Sequence, residues 1–258
     1  MKKVSKLKSI IQQKLFEIEK KEDVKIIHAI ESGSRAWGFP SPDSDYDVRF
    51  IYVRPEEFYL SLQKTKDVIE WQLDDTLDIN GWDIQKALRL LYKSNPTLFE
   101  WCNSPIVYHT TPYFTSLKQT INNYFSCKSA LYHYLSTAQS NYRDYFKGDT
   151  VRLKKYFYVI RPILACKWIL ENQTPPPMQF SELVSTQMEA GMHYIIKDLL
   201  LLKMQTPEMG EGKPIDKLNK YIEYNIPLLK TTVGNLPNDS NVSWHELNNL
   251  FLLFLKMQ

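Results

Sequence analysis

The chain has 258 residues, 43% of them apolar and 13% aromatic, which is ample core material and excludes an intrinsically disordered protein. A formal charge of +3 and a pI of about 8.5 are too mild to announce a nucleic-acid-binding surface by themselves. No apolar run approaches the ~20 residues that span a bilayer, and the basic start (Lys2, Lys3, Lys6, Lys8) leads into an amphipathic pattern rather than a signal core; the expectation is a cytoplasmic protein with no membrane partner.

From residue 4 to 20, Leu7, Ile10, Ile11, Leu15 and Ile18 recur at helical spacing among charged residues, so an amphipathic helix opens the chain. The stretch VKIIHAI at 24–30 is rich in β-branched residues and ends at Glu-Ser-Gly-Ser, which reads as a buried strand entering a glycine turn. A proline- and serine-rich loop at 40–44 precedes a strand at 46–53, with Asp45 and Asp47 at its beginning. Two more strands are expected at 67–72 and 76–81, joined at Asp74-Asp75, and a helix at 83–91 that ends near Ser94-Asn95-Pro96. Beyond Pro112 the pattern turns helical, at 113–146, 151–171, 181–204, 215–224 and 244–257, broken by Gly148, the prolines at 175–177, and Gly210 and Gly212. The fold class expected is α+β: a small mixed-sheet domain over residues 1–110 followed by an all-helical domain over 111–258, with a cleft between them. Cys102, Cys127 and Cys166 have no CxxC or Cys/His clustering and read as reduced core cysteines.

Chemistry concentrates in Gly33-Ser34 and Asp45-Tyr46-Asp47. Strand side chains alternate faces, so carboxylates at n and n+2 project to one side and can share one or two divalent cations. Mg²⁺ takes a few carboxylate oxygens together with substrate phosphates and water, and a pair of such ions serves phosphoryl or nucleotidyl transfer. The glycine turn adds unobstructed backbone N–H groups and the Ser34 hydroxyl, suited to a triphosphate. An acidic pair in such a loop is often solvated turn chemistry, but Asp47 runs directly into Val48-Arg49-Phe50-Ile51, where a carboxylate without a cation is costly. Arg35 serves equally as a phosphate contact or as an ion-pair partner of Glu31 or Asp43. Trp37 and Phe39 read as core or loop anchors, His28 as a core histidine, and Asn95, Pro96, Glu100 and Trp101 as turn-making and packing residues.

Gly-Ser followed by Asp-x-Asp on the next strand resembles the nucleotidyltransferase superfamily of DNA polymerase β. Residues 33–50, the run DINGWD at 78–83, Lys86, residues 93–96, Glu100-Trp101 and Ser104-Pro105 together are similar to the predicted nucleotidyltransferases associated with bacterial and phage RNA repair. The resemblance implies a polymerase β-like catalytic domain and a third carboxylate on a neighbouring strand. Asp78 and Asp83 are the candidates; helix capping accounts for Asp83, so Asp78 is assigned. It implies further that Asp45, Asp47 and Asp78 are the catalytic and metal-binding residues for Mg²⁺ or Mn²⁺, that Gly33, Ser34 and Arg35 bind a nucleoside triphosphate, and that the acceptor is an RNA end. Protein or small-molecule acceptors, and a non-catalytic nucleotide-binding module, stay open.

In the helical half, Lys154, Tyr158 and Arg161 fall at i, i+4 and i+7 on one helix face beside Lys155. As in helical domains of related nucleotidyltransferases, they are expected to bind the triphosphate tail or stack on the base; a solvated basic face with a packed tyrosine explains them equally well. Tyr142 and Arg143 are candidates for the same surface.

Overall fold

The strand patterns build a five-stranded sheet in the computed structural model, which describes residues 2–63, 65–74, 76–206, 210–239 and 242–257. Its strands are β1 (Lys25–Glu31), β2 (Tyr46–Val53), β3 (Val68–Asp74), β4 (Leu77–Asp83) and β5 (Val107–Thr110), in the order β3-β4-β2-β1-β5. The central pair, β2 and β4, is parallel and every other pairing is antiparallel. Both faces of the sheet are covered, which is why β1 is buried from its second residue onward.

Helix α1 (Lys2–Glu22) lays Ile11, Leu15 and Ile18 against Val48, Phe50 and Tyr52 of β2. It stops at Asp23, which takes the left-handed conformation (φ 51°), while the Val24 amide donates to the Glu19 carbonyl at 3.1 Å, a helix stop of the C-cap kind. On the other face lie α4 (Ile84–Tyr92), α5 (Pro96–Cys102) and α6 (Pro112–Thr120). The short helices α2 (Gly33–Ala36) and α3 (Glu56–Leu60) occupy the connections on either side of β2. Inside the sheet, Gly81 of β4 is required by a close approach: a Cβ there would stand 2.2 Å from the Phe50 ring.

The second half contains α7 (Cys127–Tyr145), α8 (Lys155–Asn172), α9 (Phe180–Gln187), α10 (His193–Gln205), α11 (Asp216–Gly234) and α12 (Trp244–Leu255). It is not purely helical: β6 (Val151–Arg152) and β7 (Glu211–Gly212) form a two-stranded antiparallel ribbon. The segment read as one helix over 113–146 is two, because the Ser126 hydroxyl accepts from the Ser129 amide at 3.1 Å and starts α7 afresh. Residues 181–204 likewise divide into α9 and α10 around a 3₁₀ turn at Ala190–Met192. Asn95-Pro96, read as a turn after α4, also begins α5, with Asn95 capping Thr97 N at 3.0 Å and Pro96 at the first helical position. The edge strand β5 was not signalled at all.

A division at residue 110 leaves one element away from its neighbours in sequence. Leu247, Leu250 and Phe254 of α12 share a core with α4, α5 and α6, while Phe39 from the first half packs in the core of α7 and α8. Backbone bonds reinforce this exchange: Phe180 N donates to Trp37 O at 2.9 Å, and Gln179 Nε2 to Ala36 O at 2.8 Å. The turn after Gly33 is thereby held by the helical half. Among the described residues, no helix is long and apolar enough to cross a membrane.

Candidate active site

Gly33 opens a single helical turn with φ +61°, and a Cβ there would stand 2.1 Å from Oδ2 of Asp47. Only glycine satisfies both the backbone and this contact. The Asp47 carboxylate therefore lies directly against the Gly33 turn, and Ser32 N donates to the Asp47 carbonyl at 2.8 Å. Asp45 stands just ahead of β2, exposed. Both Asp45 and Asp47 line a cavity of about 430 Å³ whose floor is Gly33 and Ser34.

Strand register positions Asp78, the candidate for a third carboxylate. Asp78 pairs with Asp47 across the parallel β2–β4 ladder, so the two share a face. Between them sits Arg49, whose Nη2 contacts Asp78 Oδ2 at 2.7 Å and Asp47 Oδ1 at 3.0 Å. Asp83 is elsewhere: it caps α4 by accepting from Gln85 N at 2.7 Å and also accepts from the Tyr59 hydroxyl at 2.8 Å. Those two bonds account for Asp83 as a structural residue.

Among the described residues, no group of three or more His, Cys, Asp or Glu side chains is drawn together tightly enough to hold a metal ion. The donors nevertheless suit one. Burial lifts the Asp47 pKa above the usual aspartate range; Arg49 and Arg35 oppose this, while Asp78 and Asp45 add to it. The negative charge is thus incompletely compensated, and carboxylate oxygens are the ligands that Mg²⁺ and Mn²⁺ prefer.

Behind Asp47 lies Glu31, fully buried. Its carboxylate accepts from the Asp47 amide at 2.9 Å and the Tyr108 hydroxyl at 2.5 Å, and burial raises its pKa to about 7. Arg35 is engaged by the loop ahead of β2. Its guanidinium donates to the carbonyls of Ser44 at 2.6 Å and Asp45 at 3.0 Å and stacks 3.5 Å over Tyr46, fixing the loop that presents Asp45.

The helical half closes the cavity with Lys154, Tyr158 and Lys203. Burial raises the Tyr158 pKa, and Asp47 and Asp45 raise it further, so the phenol and the carboxylates are electrostatic neighbours. Arg161 parts from this group. It is buried, pairs with Glu100 at 2.9 Å, and lies 4.5 Å over the Trp37 ring, bordering a separate, smaller cavity that Tyr158 also borders. Tyr142 instead bonds Glu223 at 2.7 Å, and Arg143 pairs with Asp144.

Lys203 was missed in the sequence. It is 5% exposed on α10, its Nζ reaches the Ser41 hydroxyl at 3.5 Å, and burial lowers its pKa, with Lys154 adding to the fall and Asp43 opposing it. Ser41 and Ser34 both bond the Ser44 hydroxyl, at 2.8 and 3.1 Å, so a file of hydroxyls joins the Gly33 turn to Lys203. A signal existed: Ile196, Leu199 and Lys203 recur at i, i+3 and i+7, placing the lysine on the buried face of an apolar helix.

A mixed sheet whose central parallel pair sets two aspartates beside a Gly-Ser turn, facing cations from a helical half, has the parts of a DNA polymerase β-like nucleotidyltransferase. The chain belongs to the RlaP family, the RNA repair pathway DNA polymerase beta family, whose model matches residues 7–253. It is similar to the uncharacterized protein YcgL of Bacillus subtilis (strain 168), with 43% identity over 250 residues, covering 95% of each chain. Among solved structures it matches a nucleotidyltransferase-like protein from Exiguobacterium sibiricum 255-15 at 13% identity, over 96% of this chain and 80% of that one, with a TM-score of 0.33.

Proposed function

We propose that this protein transfers a nucleoside monophosphate from a nucleoside triphosphate to an acceptor hydroxyl, and that the acceptor is an RNA end. The observation that carries the reading is the parallel pairing of Asp47 with Asp78 beside the Gly33 turn. Family membership supports the reaction class and, through the family's description, the RNA acceptor.

Asp45, Asp47 and Asp78 would hold Mg²⁺ or Mn²⁺, which neutralises phosphate charge and makes the acceptor hydroxyl more acidic. The Ser34 hydroxyl and the open Gly33 turn hold the triphosphate from one side. Lys154 and Lys203 hold it from the other, where buried or half-buried cations attract phosphate more strongly than solvated ones. The acceptor oxygen bonds to the α-phosphorus, the bond to the bridging oxygen breaks, and pyrophosphate leaves. Asp78, about half exposed, takes the acceptor's proton. Arg49 keeps Asp47 and Asp78 on one axis, and Glu31 fixes the Asp47 backbone from behind. Positioning and charge neutralisation supply most of the rate.

The test is incubation with each α-labelled nucleoside triphosphate, Mg²⁺ or Mn²⁺, and total cellular RNA or protein. Label in RNA that disappears in Asp47→Asn supports the reading. Carboxylate-dependent label in protein redirects it to protein nucleotidylation. Binding of nucleotide with no label in either contradicts an RNA-end transferase and favours a small-molecule acceptor or a non-catalytic nucleotide-binding module.

A further inference from the structure

Beside the first cavity, across the Trp37–Tyr158 pair, lies a second of about 160 Å³. The rings of that pair meet edge to face at 6.1 Å and border both spaces. The second cavity is bounded by Glu100 of α5, His133, Thr137 and Asn141 of α7, and Arg161 of α8. It therefore lies where the two halves of the chain meet.

Two features distinguish it from a packing defect. Packing voids are apolar, whereas this one contains a buried ion pair: Glu100 and Arg161 are 13% and 5% exposed at their side chains and lie 2.9 Å apart. Hydrogen-bonding capacity is also left over. Arg161 Nη1 and the Tyr134 hydroxyl both donate to Oε1 of Glu100, so Oε2 stays available to a further donor. Arg161 Nε and Trp37 Nε1 are buried and, among the described residues, have no acceptor. Unmet buried donors are costly, and here two of them stand beside an acceptor with spare capacity.

Helix α8 connects the two spaces. Lys154, immediately before it, borders the first cavity, Tyr158 borders both, and Arg161 borders the second. At 1.5 Å per residue, Lys154 and Arg161 are separated by about 10 Å along the helix. A nucleotide whose phosphates rest on Ser34 and Lys154 thus has its base directed past the Trp37–Tyr158 pair.

We propose that the second cavity is the base-selecting pocket of the nucleotide site and takes the nucleobase of the incoming triphosphate. The inference rests on the nucleotidyltransferase reading and deepens it. The base lies against an aromatic ring of the pair. Its exocyclic amino group donates to Glu100 Oε2, and a ring nitrogen or carbonyl accepts from Arg161 Nε or Trp37 Nε1. Uracil, which has no exocyclic amino group, leaves Glu100 unmatched, and a site built to receive a donor rejects the analogue that lacks one.

Equilibrium binding of ATP, CTP, GTP, UTP and inorganic tripolyphosphate, with Ca²⁺ in place of Mg²⁺, tests this on the full chain. The wild type should bind at least one amino-bearing nucleotide about tenfold or more tightly than UTP. Glu100→Gln should bring that ratio to within about threefold, with tripolyphosphate binding unchanged. Because Glu100→Gln weakens a buried pair and can impair folding, Thr137→Phe gives an independent test: it fills the cavity without touching the pair and should reduce every nucleotide to the affinity of tripolyphosphate. Equal wild-type affinity for all four nucleotides, or an unchanged preference in folded variants, overturns the pocket while the transfer reading stands. Failure of the folded wild type to bind any nucleotide overturns both.

Discussion

The two ends of strand β4 carry the same side chain in opposite circumstances. Asp83 is 3% exposed, and both of its carboxylate oxygens are engaged, by Tyr59 and by the first turn of α4. Asp78 is about half exposed and held by a single guanidinium that it shares with Asp47. An aspartate whose bonds all close within the fold serves the fold. One that is half exposed and shares its guanidinium with another carboxylate can still serve something that binds.

Four substitutions or pairs of substitutions sharpen or break that contrast. The largest effect is expected at Asp47→Asn, which should reduce nucleotide transfer on the order of 10³-fold in steady-state kinetics while the thermal midpoint shifts by no more than a few degrees. Asp83→Ala should do the reverse. Loss of a cap and of the acceptor for the buried Tyr59 hydroxyl should cost about 2–3 kcal/mol in urea unfolding, with kcat of the folded fraction unchanged. Lys203→Met should raise KM for the nucleoside triphosphate about tenfold with little change in kcat, the signature of lost uniform binding, worth ~1.4 kcal/mol. A comparable fall in kcat alone would place Lys203 at the reacting phosphorus instead.

The smallest effect lies in the pH dependence of stability, where two buried groups oppose one another. Burial lowers His28, stacked on Phe114 at 3.6 Å, from the usual 6.5 to about 4. Between those values the unfolded chain binds the extra proton, so this group makes stability rise with pH from about 4 to 6.5. Burial raises Glu31 from the usual 4.5 to about 7. Here the folded chain binds the extra proton, so stability falls as pH rises from about 4.5 to 7. The two contributions should nearly cancel in the wild type between pH 5 and 6.5. Glu31→Gln should expose a rising profile and His28→Phe a falling one, each of about 1 kcal/mol per pH unit, as read from unfolding midpoints across that range. Parallel profiles for both variants would show that neither group is coupled to folding as described.

Much of the sheet and its site was legible because the signals are local. Turn residues bounded β2 and β4, the turn at Gly33 required a glycine, and Asp83 stands directly before the run that becomes α4. Of the two candidates for a third carboxylate, Asp83 does cap α4, as its place before the helix suggests. What the sequence did not disclose depends on contacts between distant segments. Arg35 has carbonyl partners nine and ten residues on, which no ion-pair argument over Glu31 or Asp43 anticipates. Glu100, read as a packing residue, becomes a buried acceptor only because α7 and α8 bring Tyr134 and Arg161 to it. The face shared by Lys154, Tyr158 and Arg161 is real, but Trp37 divides it between two cavities, and Trp37 comes from the other half of the chain. The boundary at residue 110 follows the loss of strand signals, whereas α12 returns to the sheet's core because its apolar stripe fits α4 and α6.

In the proposed mechanism the carboxylate at the open end of β4 belongs to the chemistry and the one at its closed end does not. The most direct measurement compares Asp78→Asn and Asp83→Asn with the wild type for Mg²⁺-dependent incorporation of α-labelled nucleotide into RNA, with each variant shown to be folded by circular dichroism. Asp78→Asn is expected to lose incorporation and Asp83→Asn, whose amide oxygen can still cap α4, to retain it. Retention by Asp78→Asn together with loss in a folded Asp83→Asn would contradict that mechanism.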